Sequence, residues 1–373
     1  MRPDKVSRAQ GIGARSRGIV RYFRDRLAYA WAAGAHRRPG RVDPPPSQTS
    51  YQQRVAAEHE HFDTCEEVHA LPPIFHYWSN RYLRPRLEAF GASHPDAFIA
   101  KYLVECYDRG SGARRFLSLG AGNCDTEVRL AQALRDAGCD RFAIECLELN
   151  KAMLVRGRQL ATSGGVADHI VPLKADLNQW QPIGQYDGII ANQSLHHIMA
   201  LERVFDSVTA SLAAHGRFIA SDMIGRNGHR RWPEALAIVR EFWRELPSTY
   251  RYNRQLKRQE DEFLDWDCST EGFEGIRAQD ILPLLVERFG FDVFIGFANV
   301  IAPFVDRSFG PNFSIDASWD TEFIDRVHAR DETEMAAGRI KPTQMFAVMR
   351  VGARDEVPTE ATSAARGAIR VPR

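Results

Sequence analysis

The stretch Phe116–Asp125 is the sequence feature that most constrains the fold of this chain. It reads FLSLGAGNCD, so a mostly apolar run leads into Gly-x-Gly. Apolar residues at helical spacing follow it: Val128, Leu130, Ala131 and Leu134. The pattern predicts a buried strand, a tight turn and the start of a helix. Gly120 accepts the positive φ of such a turn and Gly122 lets a ligand approach the backbone, so we expect a nucleotide-like ligand at the helix N-terminus.

Short apolar runs alternate with helical patterns from this stretch onward. Strands are predicted at 115–119, 142–147, 169–174, 186–191 and 216–221, with two more at 291–297 and 342–350. Alternation at this spacing predicts a doubly wound α/β sheet, which binds ligands beyond the carboxyl ends of its strands.

Polar residues collect at those predicted strand ends. They are Asn123, Asp125, Glu148, Asp176, Asn192 and Asp222. Glu148 can accept hydrogen bonds from two ribose hydroxyls, and Asp176 can accept one from an exocyclic amino group. Asp125 stands where a dinucleotide fingerprint has its third glycine, and its charge would repel a pyrophosphate at the helix N-terminus. These residues therefore favour an uncharged or cationic nucleoside over a dinucleotide.

Five segments, in this order, resemble the motifs of class I S-adenosylmethionine-dependent methyltransferases that act on small molecules. They are 116–123 (FLSLGAGN), 146–154 (CLELNKAML), 175–177 (ADL), 186–197 (YDGIIANQSLHH) and 212–220 (LAAHGRFIA). The resemblance is close over 115–223 and loose over 278–351. It implies a Rossmann-like doubly wound α/β fold with a seven-stranded sheet, the last strand antiparallel, and S-adenosylmethionine as the cofactor.

Carried over residue by residue, the resemblance implies a cofactor site. The implied contacts are Gly120, Ala121 and Gly122 at the methionine part, Glu148 at the ribose, Leu149 on the adenine, Asp176 and Leu177 at its amino edge, and Asn192 and Gln193 on the methyl-transfer side. Two positions depart from the family pattern. Ser118 replaces an acid two residues before the first glycine, and Cys124 replaces the third glycine.

His196 and His197 are the candidate catalytic residues. They follow the fourth predicted strand, where a histidine could take a proton from a hydroxyl or amine acceptor. Adjacent side chains point in different directions, so we expect at most one of them to face the site. The alternative is that the pair only closes the loop and caps the next helix, because methyl transfer can run on proximity and in-line orientation alone.

Composition divides the chain into segments. Residues 1–50 are predicted to be a basic, partly disordered arm and linker, since 1–41 hold eleven Arg and Lys against two Asp. Residues 51–114 are predicted to be a helical front or lid, and 115–351 the methyltransferase domain. A cap at 224–277 and an insertion at 300–338 interrupt that domain. Residues 352–373 are small, polar and charged, so a disordered tail is predicted there.

The cap is expected to enclose the acceptor, because it is rich in aromatic residues and adjoins the cofactor cleft. The candidate substrate contacts are Tyr250, Arg251, Tyr252 and Arg254. An equally weighted alternative is that these four residues only secure the cap to the body.

Composition and residue spacing also bear on location and on metal, nucleic-acid and membrane partners. Six cysteines without a CxxC pair indicate reduced thiols and a cytoplasmic location. No metal site is predicted, because His59, His61 and His76 lack further ligands at suitable spacing. A net charge of +1 argues against a nucleic-acid partner. The arm could lay a basic amphipathic helix on an anionic membrane surface, but a frayed arm with one docked helix is the preferred interpretation.

The predicted function is methyl transfer from S-adenosylmethionine to an O, N or C nucleophile of a small or medium-sized molecule. Three alternatives stay open: an NAD-linked oxidoreductase, a catalytically silent binding protein of the same fold, and an RNA methyltransferase with a basic face beside the cleft.

Overall fold

A computed structural model describes residues 51–56, 71–270, 272–352 and 357–371. The predictions for the basic arm, including its membrane contact, lie outside these residues. Over the described ranges, no helix combines the length and the apolar character that crossing a membrane would require. The described cysteines are all buried, and none forms a disulfide.

A seven-stranded sheet organises the molecule. In chain order, its strands are β1 (Arg114–Leu119), β2 (Phe142–Glu148), β3 (Ile170–Lys174), β4 (Tyr186–Asn192), β5 (Leu212–Met223), β8 (Phe289–Phe297) and β9 (Gln344–Val351). Two short strands, β6 (Tyr252–Asn253) and β7 (Arg258–Gln259), form a separate ribbon in the cap.

The spatial order of the large sheet is β3-β2-β1-β4-β5-β9-β8. Strands β1 to β5 pair in parallel, whereas β9 runs antiparallel to both β5 and β8. The predicted seven-stranded α/β sheet with an antiparallel last strand is confirmed.

Apolar residues cover both faces of the sheet. Neighbouring residues of one strand point to opposite faces, so Ile189 joins one hydrophobic cluster and Ile190 the other, and both are fully buried. A parallel sheet buried on both faces needs continuous apolar strands, which explains why its segments were recognisable in the sequence.

Helices flank the sheet and build the layers around it. They are α1 (Pro73–Trp78), α2 (Arg84–Glu88), α3 (Pro95–Arg109), α4 (Asp125–Asp136), α5 (Lys151–Ser163), α6 (Leu201–Ser211), α7 (Pro233–Glu245), α8 (Ala278–Arg288), α9 (Ala302–Val305), α10 (Ser318–Ala336) and α11 (Glu360–Ala368). A short π-helical turn, Ser79–Leu83, joins α1 to α2. Residues 51–56 are also helical.

The first part of the front (71–88), the cap and the insertion pack into one helical layer beyond the carboxyl ends of the parallel strands, whereas α3 flanks the sheet. Phe242 of α7 packs edge-to-face on Phe323 of α10, with ring centroids 5.8 Å apart. Tyr82 of the front donates a hydrogen bond of 2.7 Å to Asp325 of α10. Segments far apart in sequence thus share one aromatic core above the sheet.

The prediction of a disordered tail is wrong for the described residues 357–371. Helix α11 lies against β8, the edge strand of the sheet, and its Ala365 is fully buried. The Thr359 hydroxyl donates to the Phe291 carbonyl at 2.6 Å, and the Thr362 hydroxyl accepts from the Phe291 N–H at 2.9 Å. The segment is ordered because it satisfies backbone groups that an edge strand would otherwise expose.

Candidate active site

The glycine turn after β1 forms the floor of a cleft. Gly120 and Gly122 have φ of +69° and +57°. A Cβ atom on Gly120 would lie only 2.8 Å from the Cβ of Ser194, so the turn requires glycine both for its conformation and for its space. The Gly122 N–H donates to Glu148 Oε2 at 2.9 Å, which ties the turn to the end of β2.

The two departures from the family pattern have local explanations. Cys124 is a buried residue in the left-handed conformation (φ 56°) at the start of α4. It fits because Gly157 of α5 lies opposite, where a Cβ would come within 2.7 Å of the Cys124 sulfur. Ser118 donates a hydrogen bond of 2.6 Å to the buried Glu127 of α4, so a carboxylate lies beside this position although Ser118 is not itself acidic.

The cleft lies at the carboxyl ends of β1 to β4 and has a volume of about 820 Å³, measured to its open mouth. Seven of the nine predicted cofactor residues line it: Gly120, Gly122, Glu148, Leu149, Asp176, Leu177 and Gln193. Ala121 and Asn192 do not, because both are buried behind the wall. The Asn192 side chain donates to Thr126 of α4 at 3.3 Å, so it stabilises the wall of the cleft without lining it.

Glu148 and Asp176 stand at two corners of this cleft. Glu148 also accepts from the Asn150 N–H at 2.9 Å, so backbone donors hold both of its oxygens. Asp176 accepts from the Asn178 N–H at 2.9 Å and from the Gln179 side chain at 3.0 Å. These bonds orient both carboxylates before any ligand arrives.

Tyr51 is a residue of the cleft that the sequence did not reveal. Its hydroxyl donates to Asp176 Oδ2 at 2.6 Å, and its ring lies 5.5 Å from the ring of Phe273 in the cap. Arg54, one turn later, donates to the carbonyl of Ser269 at 3.0 Å. Burial and the bond to Asp176 raise the pKa of Tyr51, so the hydroxyl remains a donor. The helical segment 51–56 therefore closes the Asp176 end of the cleft as a lid.

A second cavity lies beside the first, beneath the helical layer, and its empty space is about 1040 Å³ when the open mouth is included. Its floor comes from the ends of β5 and β9, and its walls from the front, the cap and the insertion. Residues of these four parts that line it include Met223, Trp78, Phe263 and Phe309. Because the aromatic walls come from segments distant in sequence, only the folded chain creates this space.

Buried charges line part of the second cavity. All three guanidinium nitrogens of Arg307 are shielded from solvent, and no described residue accepts a hydrogen bond from them. Burial lowers the pKa of Arg307 to about 10 and raises the pKa of Asp306 to about 7. Arg231, by contrast, donates to the carbonyls of Asn299 and His229 at 3.0 and 2.6 Å. Arg307 thus carries a positive charge that lacks a hydrogen-bonding anion among the described residues.

Three histidines and two carboxylates lie between the two cavities. His196 Nδ1 lies 2.6 Å from Asp222 Oδ1, and His196 Nε2 lies 3.3 Å from Glu274 Oε1. His197 Nε2 lies 3.3 Å from Glu274 Oε2, and His229 Nε2 contacts Glu274 Oε1 directly. His197 lines the first cavity and His229 the second. We call these five residues the histidine cluster.

The two candidate catalytic histidines therefore differ in position. His196 is 2% exposed and lines neither cavity, whereas His197 lines the cleft, as expected if only one of the pair faces it. Burial alone would lower the pKa of His196, but the carboxylates of Asp222 and Glu274 raise it to about 10. Burial lowers the pKa of His197 to about 4. The sequence did not single out His229 or Glu274, which come from two other loops.

The four candidate substrate contacts have a different place from the one expected. None of Tyr250, Arg251, Tyr252 and Arg254 lines either cavity. The Tyr250 hydroxyl donates to Asp320 at 2.7 Å, and Arg254 donates to the side chain of Asn312 at 2.7 Å. Tyr250 and Arg254 thus join the cap to the insertion, whereas Arg251 donates to the carbonyls of Asp261 and Arg244 within the cap. These bonds favour the alternative that the four residues secure the cap, and substrate contact stays a prediction.

Several solved structures of methyltransferases are similar to this chain. No family model and no curated protein matches it. Geranyl diphosphate C-methyltransferase from Streptomyces coelicolor A3(2), solved with Mg²⁺, geranyl diphosphate and S-adenosyl-L-homocysteine, shares 13% identity over 91% of this chain and 99% of its own, with a TM-score of 0.40. An O-methyltransferase of a trans-AT polyketide synthase from Brevibacillus brevis, solved with S-adenosyl-L-homocysteine, shares 12% over 72% and 75%, with a TM-score of 0.39.

A putative sarcosine dimethylglycine methyltransferase from Galdieria sulphuraria shares 15% identity over 74% of this chain and 86% of its own, with a TM-score of 0.37. These scores are low, so the functional argument below rests on the residues of this chain.

Proposed function

We propose that this protein transfers a methyl group from S-adenosylmethionine to a small molecule held in the second cavity. The observation that carries the proposal is the pair of adjoining cavities. One is a cleft at the strand ends with a glycine turn and two corner carboxylates, and the other lies beneath the helical layer. A bisubstrate transfer needs such adjacent sites, so that the two reacting groups meet in line and away from water.

The residues of the cleft fit this cofactor. The glycine turn lets a ligand approach the backbone, and Glu148 has the chemistry to hold ribose hydroxyls. Leu149 and Leu177 offer apolar contact to an adenine ring, and Asp176 can accept from its amino group. Asp125 begins α4, where its charge disfavours a pyrophosphate, so the cleft suits a cationic nucleoside better than a dinucleotide.

The chain would contribute positioning, shielding and charge. When bound, the cofactor would supply an electrophilic methyl group. The lid at 51–56 and Phe273 cover one end of the cleft, which excludes water there. His197 lines the cleft on the side of the histidine cluster, but its lowered pKa of about 4 makes it a weak base toward the acceptor. In-line orientation is expected to supply most of the rate enhancement.

The second cavity favours an acceptor that carries an anionic group. Arg307 has a buried guanidinium without a hydrogen-bond partner among the described residues, and guanidinium groups bind carboxylates and phosphates in a bidentate manner. The aromatic walls would hold the apolar part of the same molecule. We therefore assign the acceptor to small, partly apolar carboxylates or phosphate esters.

Calorimetric titration with S-adenosylmethionine tests the cofactor, with NADH titrated in parallel. Micromolar binding of S-adenosylmethionine alone supports the proposal. Binding of NADH alone would overturn it in favour of an oxidoreductase, and silence from both ligands would favour a binding protein that has lost the cofactor.

A second assay tests the acceptor by measuring transfer of a labelled methyl group. Each acceptor is supplied in carboxylate, phosphate-ester and neutral forms, which distinguishes the two anionic classes. Turnover confined to neutral forms would contradict the role given to Arg307. Turnover confined to RNA would place the acceptor among nucleic acids.

A further inference from the structure

The histidine cluster has the composition and geometry of a metal site, and we infer that His196, His229 and Glu274 bind a divalent transition-metal ion. The site itself does not depend on the proposed methyl transfer. Each of the three residues offers one ligand atom, and these atoms all lie within 4.8 Å of one another. Two imidazoles and one carboxylate are ligands that suit zinc or ferrous iron.

The spacing of the ligand atoms fits a bound ion. His196 Nε2 lies 3.3 Å from Glu274 Oε1, and His229 Nε2 contacts the same oxygen. Ligand atoms about 2.0–2.1 Å from a tetrahedral zinc ion lie roughly 3.3 Å from one another. His196 and Glu274 already have the separation that the ion requires, whereas His229 Nε2 would have to draw back from Oε1 to admit it. Three protein ligands are the number found in zinc sites that keep one position open.

The second nitrogen of His196 supports this assignment. His196 Nδ1 lies 2.6 Å from Asp222 Oδ1, and the Asp222 carboxylate also accepts from the N–H groups of Ser194 and Leu195 at 2.9 and 2.7 Å. A carboxylate that accepts from Nδ1–H leaves Nε2 with its lone pair facing Glu274. Such an outer carboxylate orients the histidine ligand in many metal sites.

The buried charges of the cluster also favour a divalent cation. Asp222 is fully buried and Glu274 is 6% exposed. Among the described residues, only histidines lie within ion-pair distance of these two carboxylates, and Arg307 acts on Glu274 only at longer range. Two buried negative charges are costly without compensation, and a protonated His196 would balance only one of them. One divalent cation would neutralise both while the three imidazoles stay neutral, which is the form that binds metals.

The backbone holds the three ligands in place. They come from three loops, and hydrogen bonds join these loops directly. Ile276 N–H donates to the His196 carbonyl at 3.1 Å, and Gly228 N–H donates to the Gly275 carbonyl at 2.9 Å. His229 itself has φ of +55°, an unfavourable conformation for a residue with a side chain. Gly275 allows the close approach, because a Cβ there would lie 3.1 Å from the ring of His229.

His197 completes the arrangement from the other side. Its Nε2 lies 3.3 Å from Glu274 Oε2, the oxygen that does not face His196 and His229. This oxygen has no hydrogen-bond partner among the described residues, so His197 packs beside the carboxylate without fixing it. Since His197 lines the cofactor cleft and His229 lines the second cavity, an ion in the cluster would stand at the wall between the two cavities.

Metal content of the full chain tests the inference, using protein produced without a polyhistidine tag. Elemental analysis should find about one transition-metal ion per chain. After removal of metal with a chelator, calorimetric titration with Zn²⁺ alone should show one site. X-ray absorption at the zinc edge should show two imidazole ligands and an oxygen shell. A wild-type protein that holds no metal and gives no heat with Zn²⁺ would overturn the inference, as would a zinc shell of sulfur.

Matched variants locate the site. Glu274→Gln and His229→Gln should weaken Zn²⁺ binding by roughly 100-fold or more, because each removes one of three ligands. The control is His215→Gln, since His215 also pairs with a carboxylate, Asp187 at 2.8 Å, but lies outside the cluster. It should bind Zn²⁺ like the wild type. Undiminished binding by Glu274→Gln would contradict the assignment, and the wild-type absorption spectrum decides the question if either buried variant fails to fold.

Discussion

Replacing Glu148 by Gln tests the cofactor cleft most directly. The substitution keeps the size of the side chain and removes its charge. In the protein, Oε2 of Glu148 accepts from Gly122 and Oε1 accepts from Asn150, both at 2.9 Å. A carboxylate oxygen can accept more than one hydrogen bond, so the same group can also hold ribose hydroxyls. In the Glu148→Gln variant, the side-chain amide would have only one oxygen for these donors, and its NH₂ group would face the other backbone N–H.

The expected loss follows from the strength of these bonds. Hydrogen bonds to charged groups contribute about 1.5–3 kcal/mol each, and partial compensation by the remaining amide oxygen lowers the net effect. We expect cofactor binding to weaken by about 1–3 kcal/mol, which corresponds to roughly 5- to 150-fold in Kd. Some loss of stability in the free protein is also expected, because one backbone donor loses its acceptor.

Calorimetric titration with S-adenosylmethionine measures the effect, and a thermal melt of the free protein records the change in stability separately. The matched control is Glu145→Gln on the same strand. Glu145 accepts from Arg115 at 2.6 Å and from the Tyr186 hydroxyl at 2.8 Å, and it does not line the cleft. The control should lose stability but keep its affinity within about twofold, on the reasoning that it touches no ligand. Equal affinities for the two variants would remove Glu148 from the site.

Three further predictions concern the lid and the second cavity. Tyr51→Ala should weaken S-adenosylmethionine binding about tenfold through loss of the covering ring, whereas Tyr51→Phe should nearly retain it; equal losses in titrations of the two variants would contradict the role of the ring. Arg307→Gln should raise the KM of an anionic acceptor at least roughly tenfold and leave cofactor affinity unchanged. Arg254→Gln, which lies outside both cavities, is the control, and an equal KM for both variants would refute the assignment. Burial raises the pKa of Asp306 to about 7 despite the nearby Arg231 and Arg307, so the folded state keeps a proton that the unfolded chain releases above its ordinary pKa of about 4. Stability should therefore fall as pH rises from about 4 to 7, and Asp306→Asn should flatten this part of the melting-temperature profile; parallel profiles for variant and wild type would count against a raised pKa.

The cap shows where interpretation of the sequence reached its limit. Tyr250 and Arg254 combine aromatic and basic character, which is typical of ligand contacts and of structural anchors alike. In the structure they bond to Asp320 and Asn312 of the insertion, more than 50 positions later in the chain. Which face of a cap points inward depends on these distant partners, and no local pattern encodes it.

The histidine cluster illustrates the same limit for chemistry. His196 and His197 were recognisable because they follow a predicted strand, but Glu274 and His229 lie on loops without a metal-binding spacing. The cluster exists because β5 places Asp222 beside the loop after β4, and the cap folds back to bring Glu274 against both histidines. A search for ligand spacing in the sequence could not find residues that only tertiary contacts assemble.

By itself, the sequence determined the doubly wound sheet, the glycine turn and the carboxylates at the strand ends. These features depend on local periodicity and on residues next to a strand, so they follow from short stretches of chain. Tertiary structure alone decided the contact of Tyr51 with Asp176, the second cavity with Arg307, and the histidine cluster. Each of these depends on contacts between segments far apart in the chain, whose relative positions follow from packing of the whole fold.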